Sequence, residues 1–261
     1  MTKGIVLYAE GTEYVKQARL CALSIRRYND IPICLITDQE DRDPVFDHVI
    51  KLQSSSNRFK TDNRCQIYDL TPYDETIVLD SDTLVLENID HMWNILSQQE
   101  VFYTTSVYNY RGDIIIDKFY RKTFIQNKLP NVYNAFYYFK KCSKAQEFYS
   151  TQKQINENWK EVYAEVCQFS TPTKPSMDVN AAIAALFTDT IFYKTTEPRL
   201  VHMKSRIQGW EYDVDTWQNK VGTYVTDNGE LFIGNNKQTG IFHYTENSFV
   251  TDNIIGKFAN V

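Results

Sequence analysis

The sequence has 261 residues and a mass of 30.6 kDa, the size of one large α/β domain. Its 28 Lys and Arg against 33 Asp and Glu give a net charge of -5 and a pI of about 5.5, which argues against a protein that holds nucleic acid or an anionic lipid surface by bulk charge. No apolar run approaches the ~20 residues of a membrane span, and five widely spaced cysteines without a CxxC pair fit reduced thiols and a cytoplasmic location.

The opening run Gly4 to Ala9 is apolar and of strand length. It lacks the longer core and small-residue cleavage site of a signal peptide, so the mature chain is expected to begin at Met1. Tyr14, Val15, Ala18, Cys21, Ala22 and Ile25 then recur at helical spacing, and Ile31 to Ile36 reads as a second strand. This strand, helix, strand unit with a short return is the signature of a parallel sheet covered by helices. A polar loop from Asp38 to Asp47 leads to a short strand around Val49, then to Ser54, Ser55 and Ser56 and a helix ending near Leu70. The strand Thr76 to Leu79 is apolar at consecutive positions, which places it at the sheet's centre, buried on both faces.

Beyond it the pattern predicts a helix near Ile89 to Leu96, a strand near Val101 to Thr105, an irregular stretch around Arg111, Gly112 and Asp113, and a strand at Val132 to Phe139. Cys142, Ala145, Phe148 and Tyr149 mark another helix. After a loop from Ser170 to Ser176, Val179, Ala182, Ile183, Leu186 and Phe187 mark one face of a compact helix. The last sixty residues are less periodic, with Trp210, Trp217, a turn at Asp227 to Gly229 and short apolar runs at Leu231 and Ile241. No repeat or linker divides the chain, so a single domain over 1–261 is expected: α/β, with a mostly parallel central sheet flanked by helices and an irregular C-terminal part. The aromatic share of 14%, with 18 Tyr and 15 Phe, reads as an aromatic-rich core edged by tyrosines; stacking surfaces for sugars or bases are the alternative.

The segment TIVLDSDTLVLENID carries the chemistry. Its central strand ends in Asp80 and Asp82 with Ser81 between them, and ligands of open α/β sheets sit at the carboxyl ends of strands. On an extended chain the two aspartates leave from the same side and can reach one hard cation, Mg²⁺ or Mn²⁺, which also removes their mutual repulsion. A solvated acidic turn is the alternative reading of a bare DxD.

The stretch from Arg64 through Tyr68-Asp69-Leu70-Thr71-Pro72-Tyr73 to Asp80-Ser81-Asp82-Thr83-Leu84-Val85-Leu86-Glu87-Asn88-Ile89-Asp90, together with the opening Gly4 to Asp38, resembles the family 8 glycosyltransferases, the family of glycogenin. The resemblance implies a GT-A fold whose residues 1–105 form the nucleotide-binding half and 106–261 the acceptor-binding half. It implies that Tyr8, Ala9 and Tyr14 hold the uracil and ribose of a UDP-sugar, that Asp80, Ser81 and Asp82 form the donor-binding turn, and that Arg64 contacts donor sugar and diphosphate. Asn134-Ala135-Phe136 resembles the family's Asn-Ser/Ala-Gly strand, with Phe136 in place of glycine. Asp178 corresponds to the acid of an Asp-Gln pair, Val179 replacing the Gln; as an acid in a first helical turn it also suits the helix dipole. His243, after Gly240-Ile241-Phe242, is the implied third metal ligand, with His202 as its competitor. The Gly and Lys that follow that His in the family are replaced by Glu246 and Phe249, so Lys204 or Arg206 of the run VHMKSR is expected to meet the phosphates.

The implied reaction is metal-dependent transfer of a hexose from a UDP-sugar to a hydroxyl of a glycan or other acceptor, with retention of configuration. Mn²⁺ or Mg²⁺ would be held by Asp80, Asp82 and His243, with Asp178, Arg64 and Asn134 around the reacting sugar. The sugar, the acceptor and a homodimer are left open. Two other readings compete. Leu79-Asp80-Ser81-Asp82-Thr83 also fits the nucleophile motif of haloacid-dehalogenase-like phosphatases, and the departures at Phe136, Val179 and the missing Lys fit a catalytically degenerate sugar- or protein-binding module.

Overall fold

In the computed structural model, which describes residues 1–53, 59–115, 120–194, 197–203 and 217–259, the chain opens with β1 (Lys3–Ala9), α1 (Thr12–Tyr28), β2 (Ile33–Thr37) and β3 (His48–Lys51). The short helices α2 (Lys60–Arg64) and α3 (Ile67–Leu70) follow. Then come β4 (Glu75–Asp80), β5 (Thr83–Val85), α4 (Asp90–Leu96), β6 (Val101–Thr104), α5 (Lys122–Gln126) and β7 (Tyr133–Lys140). Three helices, α6 (Ser143–Glu157), α7 (Trp159–Val166) and α8 (Met177–Phe187), precede β8 (Leu200–His202), β9 (Thr223–Val225), β10 (Leu231–Ile233), β11 (Asn236–Lys237), β12 (Ile241–His243) and α9 (Asp252–Ala259).

The main sheet has the order β3-β2-β1-β4-β7-β6. Its first four strands pair in parallel and β7 is antiparallel to both β4 and β6, so only one of the six runs against the rest. Alternation along β1, β2 and β4 sorts the side chains into two cores. Ile5, Leu7, Ala9, Ile33, Leu35, Ile77 and Leu79 face Ala18, Cys21 and Ile25 of α1 and Met92 and Trp93 of α4. Val6, Tyr8, Cys34, Ile36 and Val78 face the opposite layer, built from α6 and α8. Both faces are covered, and that is why the strands read as unbroken apolar runs. The aromatic residues largely fill this second core: Tyr103 stacks on Tyr137 at 4.9 Å with 3° between the rings, and Tyr68 on Tyr149 at 4.9 Å.

A smaller sheet, β5-β12-β8, inserts the late strand β12 between β5, antiparallel to it, and β8, parallel to it. A meander of β9, β10 and β11 lies beyond it. These short pieces are the irregular C-terminal part of the sequence, and they form a third core around Leu84, Trp217, Phe242, Tyr244 and Phe249.

Several elements differ from the sequence pattern. The single helix expected up to Leu70 is split into α2 and α3, with Cys65 and Gln66 between them. The helix α7, restarting at Asn158, was not legible because only Tyr163 of it is fully covered. Leu186 and Phe187 are exposed, 47% and 56%, rather than on the buried face, since burial of α8 ends at Ala185. All five cysteines are free.

Candidate functional site

The carboxyl ends of β1, β2 and β4 lie side by side, and their parallel register sets Tyr8 beside Asp80 and Ala9 beside Thr37, one residue before Asp38. Asp80 is the last residue of β4. Ser81 and Asp82 form a tight turn, which the Thr83 hydroxyl closes by donating to the Asp80 carbonyl at 2.7 Å. The two aspartates therefore do not alternate on an extended chain as expected; the turn, not the strand, brings them together. The third member arrives through β12, where His243 pairs directly with Thr83 while the Tyr244 N–H donates to the Asp82 carbonyl at 3.1 Å. His243 Nε2 lies 3.0 Å from Asp82 Oδ1 and 3.9 Å from Asp80 Oδ2, and one ligand atom from each of the three residues falls within 4.8 Å of the others.

His202 stands opposite His243 on β8, its ring edge-on at 4.7 Å, and is not part of that three-atom group. Burial and the His243 charge depress its pKa well below the usual imidazole value, so it is neutral. Burial raises the Asp80 carboxyl, and the Asp82 charge adds to that against the pull of Arg64. Burial acts the same way on Asp82, but His243 outweighs it by charge and hydrogen bond and holds this carboxyl below its usual range.

Arg64, at the end of α2, donates to Asp80 Oδ1 and reaches the Asn134 carbonyl at 3.5 Å; its guanidinium lies 5.9 Å from the Tyr8 ring centre. Burial alone would lower its pKa, and Asp80 more than compensates, so it is a permanent cation. A cleft of about 290 Å³ that includes Asp80 and His243 is also lined by Asn134, Asp178, Tyr120 and Arg121, among others. Asp178 sits in the first turn of α8 as expected. Its Oδ1 accepts from the N–H and Nδ2 of Asn134, both at 3.0 Å, and its Oδ2 from Arg121 at 2.6 Å. Burial would raise this carboxyl, but Arg121 and the hydrogen bonds override it and keep it low, hence ionised.

Around Tyr8 the arrangement is polar. The Tyr8 hydroxyl donates to Glu10 at 2.7 Å, Asn63 donates to the same carboxylate at 3.2 Å, and the Gly11 N–H donates to Asp38 at 2.7 Å. Gly11 caps α1 with φ 89°, a conformation that favours glycine. Tyr14 is 38% exposed, its ring covered by the Lys60 ammonium at 3.9 Å. Ala9 and Ser81 are buried, with the Ala9 methyl in the core, so Ala9 can meet a ligand only through its backbone. Lys204 and Arg206 lie outside the described residues.

Phe136, which replaces the family's glycine, is fully buried against Phe102 and does not line the cleft, so it leaves the cleft's volume untouched. Val179 is likewise buried in the core. Sequence reasoning missed Glu10, Asp38, Lys60, Asn63 and Arg121. Glu10 and Asp38 follow the ends of parallel strands and could have been found from that position alone; nothing in the local pattern marks Arg121.

No family model matches the sequence, and comparison with curated proteins by sequence gives no match. By structure the chain is similar to mouse xyloside xylosyltransferase 1 in its apo form, at 12% identity and a TM-score of 0.56 over 95% of this chain and 99% of that one. It is similar to the galactosyltransferase LgtC in complex with donor and acceptor sugar analogs, at 12% identity and a TM-score of 0.55 over 99% of this chain and 97% of that one. The glycosyltransferase GlyE of Streptococcus pneumoniae TIGR4 is matched over 75% of this chain at 15% identity and a TM-score of 0.47, and the chain spans 45% of GlyE's length. The two near full-length likenesses show that the chain has the GT-A fold.

Proposed function

We propose that this chain is a glycosyltransferase that moves a hexose from a UDP-sugar to an acceptor hydroxyl of a glycan or other molecule, with retention of configuration and with Mn²⁺ or Mg²⁺. The observation that carries the reading is the convergence of Asp80, Asp82 and His243 at the carboxyl end of the central strand, in a chain whose fold matches LgtC over almost all of both lengths. Two carboxylates and one imidazole suit a hard or borderline dication. A dication held there would act as a Lewis acid on the departing diphosphate.

The chain's own residues supply the rest. Arg64 is a fixed cation beside Asp80, placed to meet charge that grows on the leaving phosphates. Tyr14 and Lys60 offer a stacking face and a hydrogen-bond donor for the base and ribose, which would also meet the backbone at Ala9. Asp178 and Asn134 line the cleft where a sugar's hydroxyls would be received, and Asp178 orients that sugar. The phosphatase reading loses ground, because the DxD strand is the fourth in the chain and borders an antiparallel strand, whereas that fold puts the motif on its opening strand. Five free cysteines support a reducing, cytoplasmic setting, and no helix among the described residues is long and apolar enough to cross a membrane.

The test is a thermal-shift screen of UDP-, GDP-, ADP- and CMP-sugars with Mn²⁺, Mg²⁺ or EDTA, followed by donor hydrolysis. Metal-dependent stabilisation by a UDP-sugar with slow hydrolysis supports the proposal. Metal-dependent binding with no hydrolysis or transfer for any donor would instead mark a catalytically silent binding module.

A further inference from the structure

Four of the thirteen exposed large hydrophobic residues fall within eight positions: Leu186, Phe187, Ile191 and Tyr193 are 47, 56, 69 and 61% exposed. Among the described residues no other stretch of that length holds more than two. Single exposed hydrophobes are ordinary on a protein surface, but a group of four marks a face that something covers. Leu186 and Phe187 close α8, whose opening turn puts Asp178 in the active cleft about 14 Å away at 1.5 Å per residue. Ile191 and Tyr193 line a second cleft, of about 260 Å³, together with Glu100, Val101, Lys144 and Asp189. Lys144 joins the two pairs, because it also donates to the carbonyl of Thr188, the neighbour of Phe187.

The backbone beneath this surface is fixed. The Thr190 N–H donates to the Ala185 carbonyl at 2.9 Å and the Thr188 hydroxyl to the Ala184 carbonyl at 2.8 Å, so the chain folds back on the end of α8 through Asp189 at φ 48°. Phe192 is then anchored inward on Tyr103 at 5.2 Å and Phe148 at 6.0 Å, while its neighbours Ile191 and Tyr193 are exposed. A backbone already ordered has little freedom left to lose when the face is covered. The face lies at the end of the sheet away from the metal group. Val101 opens β6 and pairs with Phe139, which pairs with Thr76 near the start of β4, whereas Asp80 ends β4.

We infer that this surface is the interface of a homodimer, in which two copies meet face to face about a twofold axis and both active clefts stay open. The four side chains leave roughly 400–500 Å² of mostly apolar area in water. A standard interface buries about 800 Å² per partner, a little over half of it apolar, so the area is what a stable dimer needs. A cavity of ~150 Å³ holds a benzene ring, and the cleft is larger, so an aromatic side chain such as Phe187 of one copy can fill the cleft of the other. Charge fits as well: a twofold axis can set Glu100 and Asp189 of one copy against Lys144 of the other. An anionic membrane would instead call for a rim of lysine and arginine, which two acids against one lysine, in a chain of net charge -5, do not supply. The surface shares no residue with the donor site, so the dimer stands or falls apart from the proposed reaction.

The test is sedimentation velocity on the full chain over about 1–200 μM, with wild type, Phe187→Asp, Ile191→Asp and the milder Ile191→Ser. Wild type should pass from the 30.6 kDa monomer to twice that mass within the range. Each substitution enters a twofold interface twice, so the Asp variants should weaken dimerisation by on the order of a hundredfold and Ile191→Ser by about tenfold. Because these positions are exposed, the circular dichroism of the dilute monomers should match wild type; Ile191→Ser carries the comparison if an Asp variant does not fold. A wild type that stays monomeric throughout the range overturns the inference, and its flotation with phosphatidylserine-containing vesicles, lost in the variants, would assign the face to a membrane. A dimer that survives all three substitutions at wild-type strength overturns it too, since the copies then meet elsewhere.

Discussion

Replacing Asp82 by Asn keeps the side chain's shape and an acceptor for His243 but removes one charge and one ligand from the metal group. The ligand atoms of Asp80, Asp82 and His243 lie within 4.8 Å of one another, and two carboxylate charges at that spacing repel by about 3.5 kcal/mol at an effective dielectric constant of ~20. A dication between them converts that cost into attraction, so its affinity should depend steeply on both acids. Loss of even an outer partner of a metal ligand costs about 10–100-fold in affinity, and loss of a ligand should cost no less. With Mn²⁺ at about 100 times the wild-type dissociation constant, binding stabilises the fold by ~2.7 kcal/mol. At roughly 2.1 cal/mol/K of unfolding entropy per residue, the 261 residues turn this into a rise in Tm of about 5 °C. In Asp82→Asn the same Mn²⁺ is only ~1–10 times the dissociation constant, leaving about 0.4–1.4 kcal/mol and a rise of ~1–2.5 °C. Differential scanning fluorimetry over a Mn²⁺ titration, repeated in EDTA, reads both. A variant that keeps the full wild-type response refutes the ligand assignment, and so does a wild type that shows no response at all.

Three further outcomes follow from the fold. A Cβ at Gly4 would sit 2.3 Å from ring carbons of the buried Tyr73, so Gly4→Ala should lose about 1–3 kcal/mol by overpacking and melt ~2–5 °C lower. Adding Tyr73→Leu should recover part of this loss, and an unchanged melting curve for the single variant would contradict the packing. Arg64→Ala strands the Asp80 carboxylate in a partly buried site and should cost about 3–5 kcal/mol in urea unfolding. Arg64→Ala with Asp80→Asn should cost less than Arg64→Ala alone; strict additivity would show that the pair is not coupled. Burial alone would raise the Asp47 carboxyl, but the Ile33 N–H at 2.6 Å and Arg26 at 2.5 Å hold it below its ordinary 3.8. Its folded pKa is thus lower than its unfolded one, so the stability it adds is present above 3.8 and is lost as the pH falls through the folded value. The urea midpoint should drop less between pH 7 and pH 3 in Asp47→Asn than in wild type; equal drops would show that Asp47 contributes nothing.

The main sheet was legible because its physics is local. Ile5 to Ala9, Ile33 to Ile36 and Ile77 to Leu79 are apolar without interruption, as strands covered on both faces must be, and the helical spacing of Cys21, Ala22 and Ile25 pointed α1 at them. The DxD turn was legible for the same reason, since it ends the buried apolar run Ile77 to Leu79. The C-terminal third was not: β8 and β12 are three residues each, below the length at which periodicity says anything, and the partner of β12 on its other side, β5, is 156 residues away between Val85 and Ile241. His243 could be proposed from a family resemblance but was fixed beside Asp82 only by that long-range register. Arg121 is the sharpest case. It stands between two short, weakly patterned segments, and its meaning comes from Asp178, 57 residues on.

The charges at the strand ends bear directly on the proposed metal. Among the described residues the site holds three carboxylates, Asp80, Asp82 and Asp178, against two guanidinium groups, Arg64 and Arg121. Arg64 is committed to Asp80 and Arg121 to Asp178, so each cation already has its anion before a ligand arrives, and the neutral His202 adds no charge. Asp82 has the His243 imidazole as its ion-pair partner. A diphosphate entering here meets no uncommitted guanidinium among these residues, in a half-buried cleft where Coulomb interactions are several times stronger than in bulk water. On the proposed reading the anion brings a dication with it, so nucleotide affinity should collapse in EDTA while the fold stays intact. UDP bound equally well with and without chelator would mean that the three acids answer to some other ligand.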